Sequence, residues 1–141
     1  MEPTGRWRSV VRAVLLGGAA VAAVLRLTRA GLLFVTVVGN SMEPTLDPGD
    51  RVIALRRRVA RPLRVGDIVV LKADGRNLIK RLAATGGMEV PAEPGRTVPP
   101  GSLWLLGDGQ ESFDSRHFGA VADDEVIGLV VRRLWGDPRR G

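Results

Sequence analysis

Beyond residue 30 the chain is a succession of short apolar segments separated by turn-forming residues. The strand-like segments cover residues 51–55, 68–72, 77–82, 103–106 and 126–134. Gly, Pro and Asp lie between them, and the Asp74-Gly75 pair is typical of a two-residue hairpin turn. This spacing predicts a mostly β fold, a compact, antiparallel and barrel-like domain that we expect over residues 31–136.

The first 30 residues have a different character. Arg6, Arg8 and Arg12 precede an uncharged run at 13–25, which is shorter than the roughly 20 residues that cross a bilayer core. Flanking arginines that reach the interfaces would extend the run, so we expect one short membrane anchor within 1–30, with its basic end cytoplasmic. A cleaved signal peptide has a similar pattern, but no small-residue exit follows the run. A polar tail is expected at 137–141.

Composition narrows the possible chemistry. The chain has no Cys and a single His, which excludes thiol catalysis, disulfides and metal sites built from several Cys or His ligands of one chain. The net charge of +6 permits binding to nucleic acid or anionic lipid. However, the densest arginine run, at 56–64, lies between two strand-like segments without interleaved aromatic residues, as in a solvated hairpin loop. We expect no nucleic-acid partner, no metal and no other cofactor.

Ser41 is the candidate nucleophile. It lies on a turn bounded by Gly and Pro, Gly-Asn-Ser-Met-Glu-Pro-Thr-Leu at 39–46, just after the apolar N-terminal region. Ser is also common in turns because it forms local hydrogen bonds, so the position alone is weak evidence. Arg stays protonated and is a poor base. A base for Ser41 must therefore be a carboxylate or one of three side chains, Lys72, Lys80 and His117.

Lys80 is the candidate base because of its neighbours along a predicted strand. Side chains two residues apart share a face of a strand, so Leu78, Lys80 and Leu82 point one way. Ile79 and Arg81 then point the other way. A lysine between two leucines is expected to be desolvated, which lowers its pKa toward the range in which a lysine acts as a base. The alternative is a lysine whose ammonium group stays in water while its stem covers apolar surface.

Four segments, taken together and in order, resemble the motifs of the type I signal peptidases, S26-type membrane endopeptidases with a Ser/Lys dyad. The nucleophile motif is matched at 39–46 and a strand motif by Gly-Asp-Ile-Val at 66–69. The base motif is matched by Lys-Arg-Leu at 80–82. The last motif is matched by Gly-Asp at 107–108 and by Ser-Phe-Asp-Ser-Arg-His-Phe-Gly at 112–119.

This resemblance implies a role for each matching residue. Ser41 would attack the scissile carbonyl, and neutral Lys80 would take its proton and later protonate the leaving amine. The Ser41 backbone N–H would donate to the oxyanion, and Ser112 would orient the lysine ammonium. Structural support would come from four residues: Asp114 and Arg116, which would brace their loop, Met42, which would lie near the nucleophile at the membrane face, and Pro44.

The chain departs from the family pattern in three places. Gly39 stands where the family often has a Ser or Thr that donates to the oxyanion, so a second donor would be backbone or water. The base motif usually continues with Pro-Gly-Asp, but residues 85–88 are Thr-Gly-Gly-Met. Gly109 replaces an Asn, and the loop from there to Asp114 is one residue short. Larger members carry a second β-domain where this chain has only the segment 85–104.

The resemblance implies a single-pass plasma-membrane enzyme with its catalytic domain on the extracytoplasmic side. Its partners would be the lipid bilayer and the signal peptides or leaders of exported precursors, which it would cut after small residues. Other interpretations remain open: a dedicated protease for one precursor, a non-catalytic membrane adaptor of the same fold, a basic nucleic-acid binder, or a mechanism that uses His117 with Asp114 and a serine.

Overall fold

The computed structural model describes residues 4–29, 31–73 and 75–135, which form two compact units that divide between Leu32 and Leu33. A long helix comes first and a β-sheet follows. The elements in chain order are α1 (Thr4–Arg29), β1 (Leu32–Thr36), β2 (Arg51–Arg56), β3 (Ile68–Ala73), β4 (Arg76–Thr85), β5 (Ser102–Leu106), α2 (Ser115–Phe118), β6 (Val121–Ala122), a 3₁₀ turn (Asp123–Glu125) and β7 (Val126–Trp135).

Helix α1 contains a stretch that is long and apolar enough to cross a membrane. Residues 9–26 have a mean hydropathy of 1.7, and none of them is buried. At 26 residues, the helix is about 39 Å long, so it extends beyond the uncharged run on which the prediction was based. An N-terminal signal sequence would meet the same criteria of length and composition. The membrane orientation and the division at residue 30 stay predictions, and residues 137–141 lie outside the described part of the chain.

The strands form one sheet in the order β1-β2-β7-β3-β4-β5-β6. Every strand pair from β2 to β6 in that order is antiparallel. The mostly β, antiparallel fold is therefore confirmed, with an open sheet rather than a closed barrel. Each predicted strand is present, and its limits differ from the predicted ones by at most a few residues because strand ends depend on pairing partners.

The two turns that were predicted to form hairpins have different outcomes. Ala73 pairs with Arg76, which closes the predicted β3–β4 hairpin, and Gly75 has the positive φ of 74° that such a turn needs. The arginine-rich segment was wrongly predicted to be a hairpin loop. It joins β2 to β3, but β7 lies between these strands in the sheet, so the segment is a crossing connection.

The core has apolar clusters on both sides of the central strand β3. Val70 belongs to the first cluster, whereas Val69 and Leu71 belong to the second. A continuous run of branched apolar residues is what a strand buried on both faces requires. Strand β4 alternates in the same way, with Ile79 in the first cluster and Leu82 in the second. The prediction of two opposite faces on this strand is confirmed.

Strand β4 has a free edge in its first half. Its pairing with β5 covers only Arg81 to Thr85, while its pairing with β3 extends from Arg76 to Arg81. Among the described residues, no backbone hydrogen bonds are recorded on the other side of 76–80. Strand β1 is the terminal strand of the sheet, so its outer edge is free as well.

The segment between β4 and β5 carries a small core of its own. Val90, Val98 and Trp104 form the third apolar cluster with Ala84. Glu89 forms an isolated bridge with Thr97, the Val98 N–H donates to the Met88 carbonyl, and the Gly87 N–H donates to the Val98 carbonyl. The Arg96 guanidinium lies 5.0 Å from the ring centroid of Trp104, a cation–π contact that covers the indole.

Candidate active site

The turn that carries Ser41 is anchored to the core by its apolar residues. Met42 and Leu46 are buried in the first cluster, and the Leu46 N–H donates to the Met42 carbonyl over 2.9 Å. The Glu43 N–H donates to the Asn40 carbonyl over 3.1 Å. Ser41 itself is half-buried. Burial of its apolar neighbours thus holds the hydroxyl at the surface of the unit.

Two residues expected to support the site occupy different environments. Met42 was predicted to lie at the membrane face, but it is 1% exposed and packs inside the core. Met42 thus anchors the turn of Ser41 from beneath, and its position at a membrane face stays a prediction. Pro44 is exposed and follows a cis peptide bond from Glu43.

Lys80 is buried, as the two leucines predicted. Its exposure is 3%, and Leu78 and Leu82 both pack against the second cluster. Its Nζ donates to the Ser112 hydroxyl over 3.1 Å. Burial lowers the pKa of Lys80, and the nearby Arg116 charge lowers it further, whereas the Asp114 charge raises it. The environment therefore favours the neutral amine more than water does.

Ser112 connects Lys80 to a buried carboxylate. Asp114 is fully buried, and it accepts from Arg116 Nε over 2.9 Å, from Arg116 NH2 over 2.8 Å and from the Gly107 N–H over 2.9 Å. Burial alone would raise the pKa of Asp114. Hydrogen bonds from Arg116, Gly107 and the Ser112 hydroxyl outweigh burial and hold that pKa well below its ordinary value. Asp114 is thus a fixed anion that positions Ser112.

The loop of Ser112 packs directly on the backbone of Ser41. The Gly109 N–H donates to the Ser41 carbonyl over 2.9 Å. A Cβ atom at Gly107 would overlap both the Ser112 hydroxyl and the Ser41 carbonyl, and one at Gly109 would overlap the Asn40 carbonyl. The two glycines therefore let the loop approach the turn closely.

Four of the predicted site residues have side chains in one hydrogen-bonded network, and Ser41 contacts the loop of that network through its backbone. Lys80, Ser112, Asp114 and Arg116 are linked by hydrogen bonds. The Ser41 carbonyl accepts from the Gly109 N–H in the same loop as Ser112. Among the described residues, no hydrogen bond is recorded for the Ser41 hydroxyl, which leaves this hydroxyl available beside the network.

Gly39 has a conformation that explains the missing side chain two residues before Ser41. Its φ is +80°, in the left-handed region that residues with a Cβ rarely adopt. A Cβ built there would meet no atom within 4 Å, so the obstacle to Ser or Thr is backbone strain rather than space.

Arg81 joins three parts of the site, although no role for it was predicted. Its guanidinium donates to Asp108 over 2.8 and 2.6 Å, to the Gly66 carbonyl over 2.8 Å and to Thr45 Oγ1 over 3.3 Å. Arg81 and Asp108 both stand inside the motifs, so their presence there was the available signal. Their pairing fixes the loop of Ser112 to the strand of Lys80.

A second arginine supports the turn from the far side. Arg133 Nε lies 2.9 Å from Asp50 Oδ2, and its NH1 donates to the Thr45 carbonyl over 3.2 Å. Asp50 is fully buried, so the ion pair satisfies a charge that would otherwise be costly. Asp50 is separated from Arg133 by most of the domain sequence, and no local pattern pointed to this pair.

His117 has a local structural role in this fold. Its Nδ1 accepts from the Asp114 backbone N–H over 3.4 Å as part of a capping box at the start of α2. Its ring stacks on Phe113 with centroids 5.1 Å apart, and its side chain is 51% exposed. An Nδ1 occupied by the backbone and a solvated ring do not form the base of a triad.

Ser41 lies at one end of a cleft between β1 and the free first half of β4. The wall from β1 and its extension is largely apolar, and Met42, Leu78 and Ile79 contribute from the other elements. The complete lining is Phe34, Val35, Thr36, Val37, Val38, Ser41, Met42, Asn77, Leu78 and Ile79. Within the described residues, no strand pairs with either backbone edge beside the cleft, so an extended peptide could hydrogen-bond to them.

Comparison with known protein families agrees with this arrangement of motifs. A family model described as signal peptidase, peptidase S26, matches residues 7–96 and 90–135. The chain belongs to this peptidase family. The match covers the long helix and all the strands, so the S26 family includes both units of the chain and not only the site.

Curated relatives of this S26 chain come from bacteria and plant organelles. Signal peptidase I of Bacillus caldolyticus is 29% identical over 140 residues, which cover 70% of this chain and 77% of that protein. Thylakoidal processing peptidase 1 of Arabidopsis thaliana is 30% identical over 139 residues, 71% of this chain but 41% of that protein. Mitochondrial ATP-independent inner membrane protease subunit 1a of Arabidopsis thaliana is 33% identical over 115 residues, 70% and 68% of the two chains.

Proposed function

We propose that this S26 peptidase is a membrane-bound serine endopeptidase that removes signal peptides or leaders from exported precursors, cutting after small residues. The observation that carries the proposal is the environment of Lys80. This lysine is buried, its pKa is lowered by that burial, and its Nζ is held by a serine whose loop packs on the backbone of Ser41.

In the proposed reaction, Ser41 is the nucleophile and Lys80 is the general base. A lysine must be neutral to accept a proton, and desolvation makes the neutral form accessible nearer physiological pH. Neutral Lys80 takes the proton of the Ser41 hydroxyl as the oxygen attacks the scissile carbonyl. The resulting ammonium then protonates the leaving amine, and a water molecule hydrolyses the acyl-enzyme with Lys80 again as base.

Ser112 orients the Lys80 amine, and the charges of Asp114 and Arg116 shift its pKa in opposite directions. Ser112 accepts a hydrogen bond from Nζ and directs the lone pair or proton of the amine. The Asp114 charge favours the ammonium that forms during attack, while the Arg116 charge limits that effect. The Ser41 N–H is the proposed oxyanion donor. The conformation of Gly39 excludes an easy side-chain donor at that position, so the second donor is a backbone group or water.

The cleft accounts for the proposed substrate. An extended leader can pair with the free edges of β1 and β4 while its side chains contact the apolar lining. The apolar α1 supports attachment to the bilayer in which leaders reside. A plasma-membrane location, a single pass and an extracytoplasmic catalytic unit are part of the proposal, as are the leader and the bilayer as partners.

The test uses the full chain, purified in detergent or lipid, and a precursor with an Ala-X-Ala cleavage site. We expect cleavage by the wild type and by Lys72→Ala, a matched control because Lys72 is an exposed lysine of β3. We expect no cleavage by Ser41→Ala or Lys80→Ala. The His117→Ala variant should retain activity because its ring serves a helix cap.

Two results would contradict the proposal in different ways. Activity that survives Lys80→Ala but is lost in His117→Ala would remove Lys80 as the base. Failure to cut any Ala-X-Ala precursor, in detergent and in lipid, would exclude a general role in export. A protease dedicated to one precursor, or an adaptor without catalysis, would then be the remaining interpretations.

A further inference from the structure

Ser41 and Ser112 border two different surface depressions. Ser41 lines the cleft between β1 and β4 described above. Ser112 lines a second, more open depression, which we name the leaving-side depression; its lining is Gln110, Glu111, Ser112, Phe113, Arg116 and His117. The two linings have no residue in common. Ser41 and Ser112 therefore border separate depressions.

The proposed reaction gives the two depressions different occupants. The leader becomes esterified to the Ser41 hydroxyl, so it must lie on the side of Ser41, in the cleft between β1 and β4. The leaving amine takes its proton from Lys80, whose Nζ is bonded to Ser112. The depression bordered by Ser112 is then the surface available near Lys80 for the residues that follow the scissile bond. A polar surface on that side suits the start of a mature, water-soluble chain.

The leaving-side depression carries an unbalanced negative charge. Arg116 is half-exposed, and its guanidinium is committed to the buried Asp114 through two hydrogen bonds of 2.9 and 2.8 Å. Glu111 is exposed, and no ion pair is recorded for it among the described residues. His117 is the remaining titratable residue of the lining, and its ring is largely in water.

We infer that the leaving-side depression binds the first residues of the mature chain and that Glu111 makes it prefer a basic side chain over an acidic one at one of these positions. The inference rests on the proposed function. It adds a determinant on the mature side of the cut to the small residues that precede the cut.

The size of the preference follows from Coulomb's law for exposed charges. Two unit charges about 6 Å apart in water interact by an amount that changes a rate constant about threefold. A substrate with Lys should then be cut about threefold faster than one with Gln, and a substrate with Glu about threefold slower. The Lys-to-Glu ratio of kcat/KM should be about 10 at low ionic strength, and salt should reduce it.

The experiment uses the full chain in a zwitterionic detergent, so that lipid charge does not contribute. Precursor peptides share one leader and one Ala-X-Ala site, and they carry Lys, Gln or Glu at the first, second or third position of the mature segment. We expect the Lys-to-Glu ratio to be about 10 for the wild type at one or more positions, close to 1 for Glu111→Gln, and inverted for Glu111→Lys.

A matched control removes the same charge elsewhere. Glu89→Gln changes an exposed glutamate in the segment between β4 and β5, outside both depressions. It should keep the wild-type ratio. Equal ratios for the wild type and Glu111→Gln at all three positions would overturn the inference while Ser41-dependent cleavage upheld the proposed function. Absence of cleavage of every peptide would overturn both.

Discussion

Replacement of Ser112 by Ala should lower kcat/KM and at the same time shift the pH at which the proposed base, Lys80, loses its proton. The change removes the acceptor of the 3.1 Å hydrogen bond from Lys80 Nζ and a donor to the buried Asp114. Hydrogen bonds to charged groups contribute about 1.5–3 kcal/mol. If this bond orients the amine in the transition state, kcat/KM should fall about 10- to 100-fold at every pH.

The pH profile of Ser112→Ala should shift to lower pH, although its kcat/KM is reduced. With Lys80 as the proposed base, activity should rise with pH as its amine becomes neutral, so the acidic limb of kcat/KM should follow the pKa of this lysine in the free enzyme. Ser112 stabilises the ammonium by accepting from it. Without that acceptor the charged form is less favourable, so the limb should shift to lower pH even though the plateau is lower.

The assay is the pH dependence of kcat/KM with one precursor peptide, alongside thermal unfolding of each variant. Ser102→Ala is the control, because it makes the same change on a half-buried serine of β5 outside the network. A limb that stays in place or moves to higher pH would refute the reasoning. So would a fall in rate that follows only from a lower fraction of folded protein.

Three further predictions concern stability and packing. Burial lowers the folded-state pKa of Lys80, so the unfolded chain binds more protons than the folded chain between that pKa and about 10.4. In this window, the stability of the wild type measured by denaturant unfolding should rise relative to that of Lys80→Met by up to about 1.4 kcal/mol per pH unit. Parallel stability curves for the two proteins would contradict this. Gly109→Ala should lower kcat/KM by on the order of 100-fold, because a Cβ there overlaps the Asn40 carbonyl. Gly18→Ala is the control: a Cβ at Gly18 meets no atom within 4 Å, so kcat/KM should not change. Arg133→Met should cost about 1.5–3 kcal/mol of unfolding free energy, because the buried Asp50 loses its charged donor and keeps only the Asp47 N–H. Arg132→Met is the control, and adding Asp50→Asn should recover part of the loss.

The elements that could be read from the sequence are those fixed by local pattern. Strand alternation placed Lys80 between two leucines, and the structure buries it there. The Asp-Gly pair gave the β3–β4 hairpin for a similarly local reason, because such a turn depends on the conformations of its own residues. Strand ranges followed from apolar runs bounded by Gly, Pro and Asp.

The features that could not be read depend on which distant segments meet. The connection after β2 resembled a hairpin loop, but β7 comes from the far end of the chain and occupies the position between β2 and β3. The partners of Arg81 and Arg133 lie far away in sequence, and a guanidinium accepts many geometries, so no spacing rule identifies them. The burial of Met42 could not be read for a related reason, since its neighbours in the core come from other strands.

The segment between β4 and β5 gives this fold a natural place to acquire additional domains. Its two ends are held side by side by the hydrogen bonds of Gly87 and Val98, and its apolar side chains are satisfied within the third cluster. A longer insertion at its tip would leave the strand of Lys80 and the loop of Ser112 in place. The length of this segment can therefore vary without moving the residues of the site, and a protein with a reporter domain inserted there should retain its activity.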